Sequence, residues 1–195
     1  MKKYSLTGAT TKISEHTLYR IIATIDIPSH KVKAGDLGGW VQSENNLSHS
    51  GTSWIADNAM VYDSACVHGN ALVSGNAQVY GSSKIVDKAT VCDDAQVFGD
   101  SHISGQARVF EDAEIESSTL CNDSRVYGSA KVKDSYLGDK AEASDNVVIT
   151  DSSISDSAQV FCDAEVVESE ISGEAKIYGS AHVYKVHIES KSQIY

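Results

Sequence analysis

The sequence predicts an all-β fold, a single-stranded parallel β-helix with three walls, from the spacing of its apolar residues. From Ile55 to Ile194 an apolar residue recurs at short, fixed steps. The steps are six residues each as far as Ile115, and beyond it they run five, six and six in repetition. One period therefore takes 18 residues at first and 17 later. Three segments per period predict a triangular solenoid, in which each wall is a short strand whose alternate residues point inward.

The small residues two places before each apolar residue support the same coil. They are mostly Ala on two sides and Ser on the third. We name the sides first, second and third after the inward residues Ile55, Val61 and Val67, with which they begin. The Ser column of the third side comprises Ser83, Ser101, Ser118, Ser135, Ser152 and Ser169. A six-residue repeat alone would not place Ser in every third segment. A coil with three sides does, because every third segment lies on the same side.

Residues 1–48 are predicted to form an N-terminal β cap, and residues 49–195 a solenoid of about eight coils. Alternating residues from Tyr19 to Ile27 indicate a strand that Pro28 ends. A cap is expected because the first coil of a solenoid has a bare edge that recruits other strands. The glycines within 35–39 match neither a dinucleotide-binding motif nor a P-loop, so we interpret them as a tight turn and close packing under Trp40.

Composition indicates one soluble domain with an acidic surface. Lys and Arg number 16 and Asp and Glu 27, which gives a net charge of −11. Many of the acidic residues fall at predicted corners together with Gly and Asn, because these residue types suit left-handed backbone angles. The chain begins without a secretory signal, has no apolar run long enough to span a membrane, and has four scattered cysteines. These features predict a cytoplasmic protein with reduced thiols, no metal and no cofactor. Direct nucleic-acid binding is not expected, because phosphate contacts need clustered Lys and Arg.

Two segments resemble a known family. Residues 32–41 read VKAGDLGGWV, and residues 44–48 read ENNLS. Together with the repeats that follow, they resemble the YdcK-like hexapeptide-repeat family of bacteria and their phages. The resemblance covers nearly the whole chain and implies a left-handed β-helix, a handedness that periodicity cannot give. It implies a fold but no agreed reaction, since the family's members carry only a transferase-like label.

Outward aromatic residues are the first candidate binding feature. They directly follow inward residues and form two runs: Phe110, Tyr127, Phe161, Tyr178 and Tyr195 on the first side, and Tyr62, Tyr80 and Phe98 on the second. Stacked aromatic pairs contribute about 0.2 to 1 kcal/mol each to a sheet, which is a structural use. An exposed aromatic strip is also typical of an interface, either with another copy of the chain or with a foreign protein. The sequence leaves both interpretations open.

A column of like charges is the second candidate. Asp134, Asp151 and Glu168 are 17 residues apart, so they are predicted to lie about 4.8 Å from one another at one corner. In one interpretation, solvent and the nearby Lys131, Lys133 or Lys185 offset the repulsion. In the other, the column meets a basic partner surface or a cation.

Two histidines are the candidate catalytic bases if the chain is an enzyme. His68 and His102 lie on the third side, two coils and therefore about 10 Å apart. That distance is too long for both to bind one metal ion. In acyltransferases of the hexapeptide-repeat type a histidine activates the substrate, and loops often project from the coils. No insertion interrupts the repeats of this chain between Ile55 and Ile194.

The sequence favours a non-catalytic protein-binding or scaffolding rod that presents flat faces to a partner protein or to its own copies, as a dimer or trimer. The last coil, which ends in Tyr195, shows no covering segment. Either Lys185 and Lys191 blunt its open edge, or another chain covers it, for example a second copy. The resemblance suggests a more specific version of this hypothesis. In it the chain is a phage or prophage protein that binds and inhibits a host defence complex through an acidic or aromatic face. The alternative is a hexapeptide-repeat acyltransferase with His68 or His102 as base.

Overall fold

The computed structural model describes residues 2–195, whose regular structure is β-strand apart from two single-turn 3-10 helices, Pro28–His30 and Glu44–Asn46. No helix in these residues is both long and apolar enough to cross a membrane. Three longer strands open the chain: β1 (Tyr4–Ile13), β2 (His16–Ala23) and β3 (Leu37–Val41).

The strands that follow are two or three residues long and recur at regular intervals. In chain order they are β4 (Trp54–Ile55), β5 (Met60–Val61), β6 (Cys66–Val67), β7 (Leu72–Val73), β8 (Gln78–Val79), β9 (Lys84–Ile85), β10 (Thr90–Val91), β11 (Gln96–Phe98), β12 (His102–Ile103), β13 (Arg108–Val109), β14 (Glu114–Glu116), β15 (Thr119–Leu120), β16 (Arg125–Val126), β17 (Lys131–Lys133), β18 (Tyr136–Leu137), β19 (Glu142–Ala143), β20 (Val148–Thr150), β21 (Ser153–Ile154), β22 (Gln159–Val160), β23 (Glu165–Val167), β24 (Glu170–Ile171), β25 (Lys176–Ile177), β26 (His182–Tyr184), β27 (His187–Ile188) and β28 (Gln193–Ile194).

These strands form three parallel sheets, one on each side of the coil. The first-side sheet runs β4-β7-β10-β13-β16-β19-β22-β25-β28, the second-side sheet continues from β3 through β5-β8-β11-β14-β17-β20-β23-β26, and the third-side sheet runs β6-β9-β12-β15-β18-β21-β24-β27. From β4 onward, neighbours within a sheet are therefore three strands apart along the chain. Val91 pairs with Val109 across 18 residues, and Val109 pairs with Val126 across 17. The predicted all-β, three-sided parallel solenoid and both of its periods are confirmed.

The solenoid has about nine turns, compared with the eight or so expected from Ile55 onward. The additional turn comes from residues assigned to the cap. Val41 in β3 pairs in parallel with Val61, and Leu47 forms a parallel bridge with Val67. Strands β1 and β2 then extend the second-side sheet in antiparallel fashion, so the edge of β3 is covered.

The strand predicted from Tyr19 to Ile27 is shorter than expected, because β2 ends at Ala23. The Asp26 carboxylate accepts the amide of Ala34 at 2.8 Å, and this local bond turns the chain away from the sheet. Ile27 makes only an isolated antiparallel bridge farther on.

Two glycines before the first complete coil allow close packing, as predicted, but not under Trp40. A Cβ atom on Gly38 would lie 2.6 Å from the ring of Trp54, and one on Gly39 would lie 2.5 Å from the carbonyl oxygen of Ala59. Larger residues at these two positions would therefore push β3 off the coil above it.

The interior is a prism filled by the inward residues of all three sides. Ile85, Ile103 and Leu120, for example, are fully buried and stack on one another on the third side. Burial of apolar surface contributes roughly 25 cal/mol per Å², so these columns are the main source of stability.

The Ser column of the third side is buried and linked by hydrogen bonds. The Ser135 hydroxyl donates to the carbonyl of Lys133 at 2.6 Å and accepts the amide of Ser152 at 3.0 Å. The same double contact recurs from Ser118 to Ser169. Each of these hydroxyls therefore donates to a backbone carbonyl of its own corner and accepts a backbone amide of the next coil.

Candidate binding faces of the rod

A ladder of stacked aromatic rings runs along the second side. Tyr62, Tyr80 and Phe98 have ring centroids 5.1 Å apart, and neighbouring ring planes differ by only 5° and 6°. His16 of the cap lies against Tyr62, with centroids 5.3 Å apart. The coil period places each ring over the one before it, which is the arrangement that the sequence predicts.

The first side carries a second ladder, which is interrupted. It consists of two groups, Phe110 with Tyr127 and then Phe161 with Tyr178 and Tyr195. Centroids within the groups are 4.8, 5.3 and 5.8 Å apart. Ser144 occupies the position between the groups, and a cavity of about 280 Å³ opens there. Burial raises the pKa of the Tyr127 hydroxyl beside this cavity, the Ser144 hydroxyl opposes the shift, and the Glu142 carboxylate adds to it.

The ladder rings are less exposed than a free aromatic strip. Tyr62 is only 7% exposed, and burial raises its pKa to about 12, with the neighbouring Tyr80 and Asp63 adding to the shift. Most other rings are half-buried by their neighbours, whereas Tyr195 is 85% exposed. Stacking therefore accounts for the flat faces of the inner rings, and their outer edges form the surface of the rod.

Corner carboxylates have a structural use that explains much of the acidity. The Asp57 carboxylate accepts the amide of Gly75 at 3.1 Å, and that of Asp145 accepts the amide of Cys162 at 2.8 Å. The carboxylates that bond the next coil in this way belong to Asp57, Asp63, Asp87, Asp93, Glu111, Asp145 and Asp156. All seven residues have left-handed backbone angles, as predicted for corners.

The acidic column stands at one corner of the 17-residue coils. Asp134, Asp151 and Glu168 have φ values of 48°, 50° and 47°, and Lys185 follows at the next level with φ 53°. The Lys185 Nζ lies 3.3 Å from Glu168, so this lysine offsets the charge at one end of the column. A shallow groove beside the column is also lined by Tyr136.

Lys131 and Lys133, which were also expected near this column, make ion pairs elsewhere. They contact Glu114 and Glu116, the residues 17 places earlier, each at 3.1 Å. The Glu116 carboxylate is the main cause that raises the pKa of Lys133, and the column residues Asp134 and Asp151 raise it further, so Lys133 also offsets the charge of the column as expected. These pairs are exposed, so each contributes little to stability.

The structure does not bring His68 and His102 together. Strand β9 lies between β6, which His68 follows, and β12, which contains His102, so the two are two coils apart as predicted. His68 is exposed and His102 is half-buried. Residues 2–195 contain no group of three or more His, Cys, Asp or Glu residues close enough to hold a metal ion.

Two histidines that we did not single out contact glutamate carboxylates. His187 Nδ1 lies 2.9 Å from Glu170 and its Nε2 lies 2.7 Å from Glu189, while His182 Nδ1 lies 2.8 Å from Glu165. Glu189, and after it Glu170, raise the pKa of His187. The sequence signal was present, because each of these glutamates except Glu189 stands 17 residues before its histidine.

The four cysteines are free and half-buried. Burial, together with the neighbouring Asp93, raises the pKa of Cys92 to about 11, which keeps its thiol protonated. Cys121 Sγ lies 3.1 Å from the Tyr136 hydroxyl. Half-buried, protonated thiols are typical of cysteines with a structural role and not of reactive ones.

Comparisons with known proteins do not assign the chain to a family. No protein-family model matches it, and no curated protein matches it. The likeness of residues 32–41 to the YdcK-like segment therefore remains an expectation, and the functional argument rests on the faces described above.

Proposed function

We propose that the chain is a non-catalytic protein-binding rod whose acidic and aromatic faces dock on a basic surface of a partner protein. The observation that carries the proposal is the first side, where aromatic rings and corner carboxylates run side by side. Tyr127 and Phe161 stand on this face, and Asp145 stands at its edge. Aromatic residues supply much of the binding energy of protein interfaces, and carboxylates select a partner of opposite charge.

The rigidity of the rod supports this function. Serine hydroxyls and corner carboxylates bond successive coils, and the interior is close-packed. The side chains of each face are therefore held at fixed spacing before a partner arrives. A preorganised surface loses less conformational freedom on binding, which favours affinity.

The net charge supports a basic partner. At −11, the chain attracts positively charged proteins and repels nucleic acids. Because salt screens such attraction over about 10 Å at 0.1 M, association should slow as ionic strength rises.

A second copy of the chain is the other partner that these features support. Strands β26, β27 and β28 form the last described level, and each is paired on one side only. Tyr184 and Tyr195 in this level are 57% and 85% exposed. Strand edges can pair with further strands, and we propose a dimer or trimer of this chain as one way in which these edges are paired. Light scattering of the purified chain over a range of concentrations gives its mass in solution and so tests whether it forms a dimer or trimer.

A finer form of the proposal is a phage or prophage protein that inhibits a host defence complex by occupying its basic surface. Its support is the resemblance of residues 32–41 to a family with phage-borne members, together with the acidic surface.

The main experiment is a pull-down from bacterial lysate with three baits. They are the wild type, a first-side variant with Tyr127→Ser, Phe161→Ser and Tyr178→Ser, and a control with Tyr80→Ser and Phe98→Ser on the second side. We expect the wild type and the control to retain the same basic proteins, and the first-side variant to lose them. Identical recovery by all three baits would exclude the first side as the docking face. A thermal shift with acetyl-CoA that disappears in His68→Ala or His102→Ala would support the acyltransferase alternative instead.

A further inference from the structure

The interruption of the first-side ladder leaves room for one flat group. Val126, Ala143 and Val160 pair in register, so Tyr127 and Phe161 stand two coils apart, about 10 Å. The intact parts of the ladder have rings 4.8 to 5.8 Å apart. A planar group inserted midway would therefore keep the spacing that the ladder already uses.

This space is a shaped cavity and not a packing fault. We call it the Ser144 slot, and its residues are Tyr127, Glu142, Ser144, Asp145, Gln159, Val160 and Phe161. Its volume is about 280 Å³. Ser144 is only 6% exposed and forms the floor, while the slot itself opens to solvent at the surface of the rod.

The core of the same coil keeps its volume through two opposite substitutions. Ala143 is the inward residue of this level, where the neighbouring levels have Val126 and Val160. Val147 stands four residues later in a column that otherwise carries Ala from Ala59 to Ala181. Both Ala143 and Val147 are fully buried. Ala143 is smaller than the valine of the neighbouring levels, and Val147 is larger than the alanine of its own column. The two changes offset each other, so the interior volume of this level is conserved.

The edge of the slot is acidic. Glu142 accepts a hydrogen bond from Gln159 at 2.9 Å, and Asp145 accepts the amide of Cys162 at 2.8 Å. These neutral donors orient the two carboxylates without neutralising them. Within residues 2–195 neither carboxylate forms an ion pair, but Glu142 also lines a second cavity together with Arg108, Arg125 and Lys140. Asp145 does not line that cavity and faces only the Ser144 slot.

We propose that the Ser144 slot holds the guanidinium group of an arginine side chain from the partner, stacked between Tyr127 and Phe161 and bonded to Glu142 or Asp145. The inference rests on the proposed function and specifies what the partner must present. A guanidinium is planar, stacks on aromatic faces and pairs with carboxylates through two parallel hydrogen bonds. A nucleobase is also flat, but its phosphates would be repelled by this rim and by the net charge of −11.

The test measures binding of short peptides to the folded chain by NMR of the aromatic ring protons. The probes are acetyl-Gly-Arg-Gly-amide and its lysine, citrulline and tryptophan counterparts. We expect saturable shifts of the Tyr127 and Phe161 rings with the arginine peptide, and an affinity at least about tenfold weaker for citrulline, which keeps the shape but lacks the charge. Shifts of equal size with lysine, or tighter binding of tryptophan, would overturn the assignment of a guanidinium.

Variants locate the site. Ser144→Tyr fills the slot and should abolish the shifts, whereas the matched change Thr150→Tyr on the second side should leave them intact. Glu142→Gln combined with Asp145→Asn keeps the shape and should weaken binding about tenfold, a readout that does not depend on how Ser144→Tyr folds. Unchanged binding in either slot variant would refute the inference. If the wild-type chain still recovers a first-side partner while the arginine peptide fails to bind, this inference fails and the proposed function stands.

Discussion

The two halves of the solenoid turn the corner between the second and third sides in different ways. In the 18-residue half the corner takes two residues, such as Gly99 and Asp100, and the glycine has φ 71°. In the 17-residue half one residue, such as Asp134 with φ 48°, makes the same corner. The strand before the tighter corner has three residues, as in Lys131–Lys133, whereas the strands before the wider corners have two or three, as in Gln78–Val79 and Gln96–Phe98. A shorter coil is therefore reached by tightening one corner, while the other two stay unchanged.

The serine after this corner changes its role with the coil length. In the longer coil, Ser83 donates to the carbonyl three residues earlier, that of Tyr80, at 2.9 Å. In the shorter coil, Ser135 donates to the carbonyl two residues earlier and also accepts the amide of Ser152. Ser101, after the last of the wider corners, donates to the carbonyl of Phe98 at 2.6 Å and accepts the amide of Ser118 at 3.2 Å. The serine hydroxyl therefore accepts a buried amide wherever the next coil is a 17-residue one.

The largest expected effect tests that difference directly. Ser135→Ala removes the acceptor of a buried amide and the donor to a buried carbonyl, so we expect a loss of about 1 to 3 kcal/mol in the free energy of unfolding. Ser83→Ala, the matched change in the longer coil, should cost about 1 kcal/mol or less. Urea denaturation of both variants measures the two losses. Equal losses would break the comparison between the halves.

The next effect concerns the corner backbone. Gly99→Ala places a Cβ atom 2.4 Å from the Ser117 hydroxyl at a left-handed position, and we expect it to cost about 1 to 2 kcal/mol. Asp134→Ala is the matched control in the tighter corner, where a Cβ atom is already accommodated, and it should cost less than about 0.5 kcal/mol. The same denaturation experiment compares them. A larger loss for Asp134→Ala would show that its carboxylate, and not the backbone, maintains that corner.

A smaller effect concerns the interrupted ladder of the 17-residue half. Ser144→Tyr should complete the stack from Phe110 to Tyr195 and add about 0.2 to 1 kcal/mol to the free energy of unfolding. Thr150→Tyr, which continues no ladder, is the control and should change stability by less. Thermal melting of the two variants distinguishes them. A loss of stability in Ser144→Tyr would mean that the level cannot accept a ring.

The smallest effect is a pH dependence at the last described level. Because the folded chain raises the pKa of His187 above its usual 6.5, the protonated ring favours the folded state. This contribution is fully present below pH 6.5 and is lost as pH rises through the higher folded pKa. We expect the melting temperature to fall slightly over that range in the wild type and to fall less in His187→Gln. NMR titration of the His187 ring gives an independent check, and a pKa at or below 6.5 would contradict the ion pairs with Glu170 and Glu189.

The sequence was sufficient for the coil and for the columns, because the period decides which residues point inward. It was insufficient at the start of the solenoid. Val41 and Leu47 are six residues apart and belong to the first turn, but the eight-residue step from Leu47 to Ile55 concealed their place in the repeat. The register of β3 depends on tertiary packing that no period encodes.

The candidate site was partly visible as well. Ser144 is the one residue that breaks the first-side run between Tyr127 and Phe161, so the interruption could be read directly. That the interruption forms a cavity depends on ring positions and on the burial of Ser144, which spacing alone does not give. The bonds that orient Glu142 and Asp145 likewise come from side-chain geometry.

The regular stacking of the coils has a consequence for the shape of any partner. The coils, and with them the rungs of each ladder, rise about 4.8 Å along the rod axis, whereas successive turns of an α-helix rise about 5.4 Å. A helix laid along the rod therefore drifts by about 0.6 Å at each rung. After about four rungs the mismatch exceeds 2 Å, and side chains on the helix no longer meet their counterparts. A helical ligand is thus limited to a short stretch, while stacked strands of another sheet can follow the rod along its whole length.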